Sequence, residues 1–365
     1  MSDLQLIAGA SALRHIQAHG LRADDISWLA GASGGPKWFV LYGMDKYLAG
    51  EFFSAKLQKN RQQPLRMIGS SAGAWRLACY AHSDPVSALQ RLAFRYAGQI
   101  YSEAPDKHEI SREARGMLDW MLGDSGASDI AFNRQRRLYV IADRARRLVG
   151  SDQNLPLNAG LLMAALSNIV SRKLLRQFFE RHVFYNSLDR PDSDWLTDMP
   201  TSWLPLRTDN VREVLMATGS IPQIMESVHG VAGSENNIYR DGGITDYHLD
   251  LPFNTRPGLV LYPHFYAGIV PGWFDKFAAW RRAHPVYFDN VVLVSPSRTF
   301  VESLPFGKIP DRNDFRRMTQ SRRVDYWKHV LAESERLATE LRDLVDHGKG
   351  IEKVMPFTAR RGGHI

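Results

Sequence analysis

The sequence predicts an α/β fold built on a mainly parallel sheet, with a helical C-terminal extension. Three observations predict it. Two short apolar runs, residues 26–30 and 65–68, each pass through a glycine-rich turn into a helical pattern, as parallel strands joined by crossover helices do. Further apolar runs at 137–142, 258–262 and 290–294 read as strands with helical stretches between them. Between Asn313 and His347, residues such as Phe315, Met318, Trp327, Val330, Leu331 and Leu337 recur at three- and four-residue spacing, and Gly348 offers a stop. The economical division is residues 1–310 for the α/β domain and 311–365 for the extension packed on it.

Taken in order, residues 11–18 form the first expected helix, closed by His19-Gly20. The strand at 26–30 runs into Gly31-Ala32-Ser33-Gly34-Gly35-Pro36. Beyond Pro36, Trp38, Phe39, Leu41, Tyr42, Met44 and Leu48 have helical spacing as far as Gly50. A polar connection covers 56–63. The strand at 65–68 feeds Gly69-Ser70-Ser71-Ala72-Gly73, and the alanine-rich stretch 74–81 is the next helix. Residues 86–101 and 112–122 are amphipathic helices. Residues 158–183 are helical by pattern but rich in large apolar side chains (Leu161, Leu162, Met163, Phe178, Phe179), which suits a helix buried in a large core or a lid facing lipid. A proline- and aspartate-rich loop at 191–205 precedes a short helix at 211–218, capped by Asp209. The tail is one long helix or two joined near Gln320, and 358–365 is a basic, frayed end.

Composition excludes whole classes. With 44% hydrophobic and 23% charged residues, 28 Gly and 18 Pro, the chain is neither collagen-like, coiled-coil nor disordered. A single cysteine, Cys79, excludes an intrachain disulfide and a cysteine-rich metal site. The 46 basic against 39 acidic residues leave a net charge of +7, scattered as pairs such as Arg136-Arg137 and Arg281-Arg282. That pattern does not suit nucleic acid; transient contact with an anionic membrane surface fits it better. The N-terminus lacks the basic and apolar regions of a signal peptide, and no apolar run approaches the ~18 residues of a membrane span. The expectation is a cytoplasmic protein, at most peripheral at membranes.

Gly69-Ser70-Ser71-Ala72-Gly73 fits G-x-S-x-G, a serine on a tight strand-to-helix turn. Small flanking residues leave its hydroxyl exposed, and the next amide sits at a helix N-terminus, facing a developing oxyanion. Such a match arises by chance in roughly one chain in ten of this length; the strand before it and the helix after it give it weight. The loop Gly31 to Lys37 matches neither common nucleotide pattern, since Walker A needs Gly-Lys-Ser/Thr and the dinucleotide fingerprint needs G-x-G-x-x-G. No cofactor is expected. What remains is a turn whose amides at Gly34, Gly35 and Lys37 are placed to meet an oxyanion in front of Ser71. Farther on, Ala217-Thr218-Gly219-Ser220-Ile221-Pro222 precedes Asp241-Gly242-Gly243.

These four motifs, in this order over about 210 residues, resemble the patatin-like phospholipase family. The resemblance implies a three-layer α/β/α sandwich and hydrolysis of acyl esters, typically lipids, by a Ser–Asp dyad. Carried over by position, Ser71 is the nucleophile and Asp241 its partner. Gly34, Gly35, Lys37 and Ala72 surround the oxyanion, and Gly69, Gly73, Gly242 and Gly243 shape the elbow and turn. The family's loop usually reads Gly-Gly-Gly-x-Arg/Lys-Gly; here Ser33 holds the first place and Trp38 the last, and a tryptophan there is expected to narrow the mouth. Ile244-Thr245-Asp246-Tyr247-His248 also departs from the family's continuation.

Three alternatives stand beside this reading. A Ser–His–Asp triad has His248, His264, His284 and His329 available after Asp241. The same fold also suits a catalytically silent lipid-binding or scaffold protein with a loop blocked by Pro36 and Trp38. An esterase or thioesterase for soluble acyl groups is the third. His108, His182 and His229 have no metal-ligand spacing, so no metal is expected. Trp195, Trp203, Trp273 and Trp280 suit either lipid contact or core packing.

Overall fold

The computed structural model describes residues 2–54, 63–189, 192–278 and 280–359. Most of the connection expected at 56–63, and residues 360–365 of the basic tail, lie outside the described residues. The strands are β1 (Leu4–Ala8), β2 (Ile26–Gly31), β3 (Leu65–Ser70), β4 (Arg136–Ala145), β5 (Phe179–Asn186), β6 (Thr201–Leu206), β7 (Val228–Val231), β8 (Ser234–Asp241), β9 (Leu259–Pro263), β10 (Val291–Pro296) and β11 (Met355–Pro356). They join in one sheet, ordered β11-β1-β10-β9-β2-β3-β4-β5-β6, with the β7–β8 hairpin attached to β4.

Pairing is parallel from β10 through β9, β2 and β3 to β4, and again between β5 and β6 and between β1 and β11. The central strands are apolar along nearly their whole length: β9 and β10 are buried at every position and β3 at all but one. Such strands require cover on both faces. The protein is therefore α/β with a mostly parallel central sheet, consistent with three α/β/α layers.

The edge of β4 positions the site. β5 occupies one edge of β4 from Tyr139 to Ala145. On the other edge β3 runs parallel to β4 and ends with Ser70 opposite Ile141. β8 comes from the opposite direction and ends with Asp241 opposite Ala142. Two strands thus meet C-terminus to C-terminus along one edge, at adjacent residues of β4.

Helix boundaries follow local chemistry. Asp84 and Asp106 accept amide hydrogen bonds three residues on, at the starts of Pro85–Ala97 and Lys107–Leu122. Gly348 closes the 28-residue helix Gln320–His347 in the left-handed conformation. That helix and the short Asp314–Arg317 break near Gln320, as the tail pattern allowed. The long helix belongs to the main core: Trp327 packs edge-on to Phe315 and tilted against Phe39, and Gly43 lies so close that an added Cβ would sit 2.4 Å from the Ser334 carbonyl oxygen.

Several expectations are corrected. The helical reading of 158–183 ends too late: the helix is Asn154–Val170, and Phe179–Asn186 is strand β5. Both patterns put large apolar residues close together, and only pairing with β4 and β6 distinguishes them. The helix itself is neither wholly buried nor free. Leu157, Leu161 and Ala164 enter a second small core, while Leu155, Leu162, Met163, Leu166, Ile169 and Val170 are exposed. The loop expected at 191–205 contains β6. Asp209 does not cap the following helix, Val211–Gly219; it binds Arg207, and Asn210 is the N-cap. The run after Pro36 divides into a tight 3-10 segment, Gly35–Leu41, and the helix Tyr42–Tyr47.

Candidate active site

Ser71 stands between β3 and the helix Ala72–Tyr80 with φ 52° and ψ −132°, a backbone conformation that costs a non-glycine residue ~1–3 kcal/mol. Glycines around it permit the sharp turn. A Cβ on Gly73 would lie 2.1 Å from the Gly31 carbonyl oxygen, and one on Gly69 2.8 Å from the Ala74 nitrogen. The strained amide of Ser71 is held by Thr218, whose hydroxyl accepts it at 2.8 Å and donates to the Ile141 carbonyl of β4.

The segment following Val211–Gly219 holds the second member as well. The Asp241 amide donates to the Ser220 carbonyl at 3.0 Å, and the Gly242 amide to that of Thr218 at 3.2 Å. Behind Gly242 a Cβ would lie 2.0 Å from the Ile141 carbonyl oxygen, and on Gly243 it would lie 2.3 Å from Ser33 Oγ, so neither position admits a side chain. Thr245, on the same turn, donates its amide and hydroxyl to Asp143 at 3.0 and 2.7 Å. Arg181 grips Asp246 with two hydrogen bonds of 2.7 and 2.8 Å.

This frame brings the two predicted residues together. Ser71 Oγ donates to Asp241 Oδ2 at 2.8 Å, and the Gly243 amide donates to Oδ1 at 2.7 Å. Both side chains are buried. Burial pushes the Asp241 carboxyl up to about 6. The Ser71 hydroxyl, the Gly243 amide and the charges of Arg312 and Lys276 act against that rise. A carboxylate so placed is a better proton acceptor than a solvated one near its ordinary 3.8.

Ser71 and Asp241 open into a small pocket. Ser33, Gly34 and Gly35 line it beside them, together with the apolar side chains of Ile221, Pro222, Ile244 and Trp273. Gly34 and Gly35 are where the oxyanion loop was expected. The Ala72 amide lies in the first turn of its helix, where no intrahelical acceptor exists. Lys37 departs from expectation: its amide turns back to the Gly34 carbonyl at 3.4 Å, and its ammonium lies 5.0 Å from the Tyr266 ring centroid. Burial opposes its charge, and the neighbouring Tyr247 and Tyr266 outweigh that and raise its pKa.

Trp38 does not narrow the mouth. It is 1% exposed, packs on Phe39 at 5.1 Å, and neither it nor Pro36 is among the residues that line the pocket. Nor do the histidines complete a triad; among the described residues none lines the pocket. His248 accepts the Val270 amide and stacks on Tyr247, His264 is tied to Tyr266, His284 pairs with Asp250, and His329 lies near Glu333 on the C-terminal helix. Burial holds His248 and His264 well below the ordinary range. Of the tryptophans, Trp195 is buried against Trp28, Trp203 packs on Tyr139, Trp280 is exposed and Trp273 lines the pocket. Among the described residues no group of three or more His, Cys, Asp or Glu side chains is placed to hold a metal ion.

Thr218, Tyr247 and Arg312 were not singled out in the sequence. Thr218 sits inside the Ala217-to-Pro222 motif, which was the available signal. Nothing in the sequence marks Arg312, which comes from the start of the C-terminal extension. No helix among the described residues is long and apolar enough to cross a membrane. No protein-family model matches the chain, and a search of curated proteins finds no significant match.

Proposed function

We propose that the protein is a patatin-like serine acyl hydrolase that cleaves a lipid or small acyl ester through a Ser71–Asp241 dyad. The observation that carries the reading is the 2.8 Å hydrogen bond from Ser71 Oγ to a buried carboxylate, at a positive-φ serine that begins a helix. Asp241 takes the hydroxyl proton as Ser71 Oγ attacks the ester carbonyl carbon. The negative charge on the carbonyl oxygen is met by the amides of Gly34, Gly35 and Ala72. Collapse breaks the bond to the alkoxide, which leaves with the proton from Asp241, and Ser71 carries the acyl group. Water then gives its proton to Asp241 and attacks the acyl carbon. The carboxylic acid departs, and Ser71 recovers its proton.

The apolar lining residues Ile221, Pro222, Ile244 and Trp273 suit an acyl chain. The pocket is small, which favours a short acyl group and keeps the soluble-ester or thioester reading as the second choice. A lipid substrate is favoured by the helix Asn154–Val170. It has no charged residue, exposes Leu162, Leu166 and Ile169, and is followed by exposed Lys173 and Arg176. That chemistry fits transient seating on an anionic bilayer.

Labelling with a fluorophosphonate tests the dyad. A covalent adduct on Ser71, absent from Ser71→Ala and strongly slowed in Asp241→Asn, supports it. A folded protein that takes up no label favours silent lipid binding. Retained ester turnover in Ser71→Ala removes the dyad. Initial rates on p-nitrophenyl esters of two to twelve carbons, with and without anionic vesicles, separate the short-ester and lipid readings.

A further inference from the structure

Two more carboxyls are buried beside the turn that follows Asp241: Asp143 of β4 and Asp246, 0% and 1% exposed. The Thr245 hydroxyl stands between them. Its oxygen is 2.7 Å from Asp143 Oδ1 and 2.8 Å from Asp246 Oδ2, while the Thr245 amide donates to Asp143 Oδ2 at 3.0 Å. A hydroxyl has one hydrogen to give, so it satisfies only one of these two carboxyl oxygens. Were both carboxyls ionised, the other oxygen would face a hydroxyl lone pair at hydrogen-bond distance with no proton between them.

The surroundings decide which carboxyl carries charge. Arg181 of β5 donates from Nε to Asp246 Oδ2 at 2.7 Å and from Nη2 to Oδ1 at 2.8 Å, the two-pronged pairing of a guanidinium with a carboxylate. Arg172 adds a second cation 3.9 Å from Asp246. Asp143 has no such partner: among the described residues it makes no ion pair. Its cross-strand neighbours are both arginines, Arg181 on β5 and Arg240 on β8. Each is committed elsewhere, Arg181 to Asp198 and Asp246, Arg240 to Asp152. A buried charge without a partner is costly. Burial, and then the charge of Asp246, push the Asp143 carboxyl well above its ordinary range, and the Thr245 hydrogen bonds and Arg181 do not offset them.

We infer that Asp143 is a protonated, neutral acid at neutral pH that donates to Thr245 Oγ1 while Thr245 donates to the ionised Asp246, and that this two-bond chain holds the turn whose Gly243 amide orients Asp241. The 2.7 Å bond between Thr245 and Asp143 thus runs from the acid to the hydroxyl. Asp143 is a positioning residue in this scheme. It acts on Asp241 through the turn, and its protonation does not depend on the hydrolase reading; only the consequence for Ser71 rests on that reading.

Asparagine copies the neutral acid, since its oxygen can accept the Thr245 amide and its nitrogen can donate to Thr245 Oγ1. The deciding measurement is urea unfolding of the native protein and Asp143→Asn at pH 5, 6 and 7. An unfolded aspartate is ionised over that range, so the native chain must take up a proton on folding that the variant does not need. The folding equilibrium constant of the variant over that of the native protein should therefore rise about tenfold per pH unit. Asp241 is present in both and cancels. A ratio constant within about threefold from pH 5 to 7 means that Asp143 is ionised in the fold and overturns the inference. Infrared spectra read the same proton without unfolding. At pH 8, where Asp241 is ionised, the native protein should show the carbonyl stretch of a protonated carboxyl, and Thr245→Val should shift it. No such band, or one unmoved by the substitution, also overturns it.

Fluorophosphonate labelling of Ser71 reads the positioning. Asp143→Leu, which cannot bond to Thr245, should label roughly tenfold more slowly or worse in protein that still melts cooperatively, and Asp143→Asn should restore the rate to within about threefold of native. Equal labelling of all three proteins, or an asparagine variant as slow as the leucine one, overturns the positioning role. A native protein that takes no label sinks the hydrolase reading instead, and the unfolding and infrared results still decide where the proton lies.

Discussion

Asp241→Asn is expected to silence the protein and also to make it more stable, in a pH-dependent way. The carboxyl titrates at about 6 in the fold against an ordinary 3.8, because burial disfavours its charge more than Ser71, Gly243 and the nearby cations favour it. At about 1.4 kcal/mol per tenfold change in acidity, keeping this group ionised inside the protein costs about 3 kcal/mol. The folded-state value lies above the unfolded one. The cost is therefore absent below about pH 4, grows as pH rises, and is complete above about pH 7. Asparagine keeps the shape, accepts the Gly243 amide and carries no charge. Urea unfolding of the native protein and the variant at pH 5 and pH 8 should show the variant more stable at pH 8, by up to about 3 kcal/mol or about 4 °C in melting temperature for a chain of this size. At pH 5 about half of that gain should remain, because the unfolded carboxyl is still ionised there while the folded one is mostly protonated. A gain of equal size at both pH values, or a less stable variant at pH 8, would refute the assignment of Asp241 as a desolvated base.

The same value sets the activity profile: kcat/KM for a neutral ester should rise with pH through about 6 and level off above it, and a flat profile between pH 5 and 8 would exclude Asp241 as the base. Thr218→Val removes the acceptor for the strained Ser71 amide, so it should cost about 1–3 kcal/mol of stability and lower kcat more than it raises KM; an unchanged kcat contradicts this role. Asp45→Ala leaves the fully buried Arg76 without its 2.8 Å partner in the helix that follows Ser71. It should destabilise by about 3–5 kcal/mol in denaturant melts, and a loss below about 1 kcal/mol would show that the charge finds other compensation. Gly242→Ala forces a Cβ against the Ile141 carbonyl oxygen and displaces Asp241, so fluorophosphonate labelling should fall at least tenfold in protein that still melts cooperatively; native labelling would contradict it.

The local parts of the site were legible in the sequence because they depend on local sterics. The turn at 69–73 needs glycines where the new helix presses on β2 and β3, and the turn after Asp241 needs them where it backs onto β4. The same holds for β2, β3 and the C-terminal helix with its glycine stop, since hydrophobic periodicity and caps act over a few residues. Strand pairing is different. β5 was read as helix, and the β7–β8 hairpin, with its polar Ser234-Glu235-Asn236-Asn237, gave no strand signal; both exist because β4 offers them an edge.

Side-chain destinations were also beyond the sequence. Spacing placed Trp38 in the loop but not its burial beneath it, and nothing announced that Arg312 would reach the pocket from the extension. The sequence by itself determined a serine on a tight turn and an aspartate before two glycines. Only the tertiary structure decided that they meet, 170 residues apart, because β3 and β8 end head to head on one edge of β4. Burial at that junction, which no local pattern encodes, is what raises the aspartate's pKa and so suits it to act as a base.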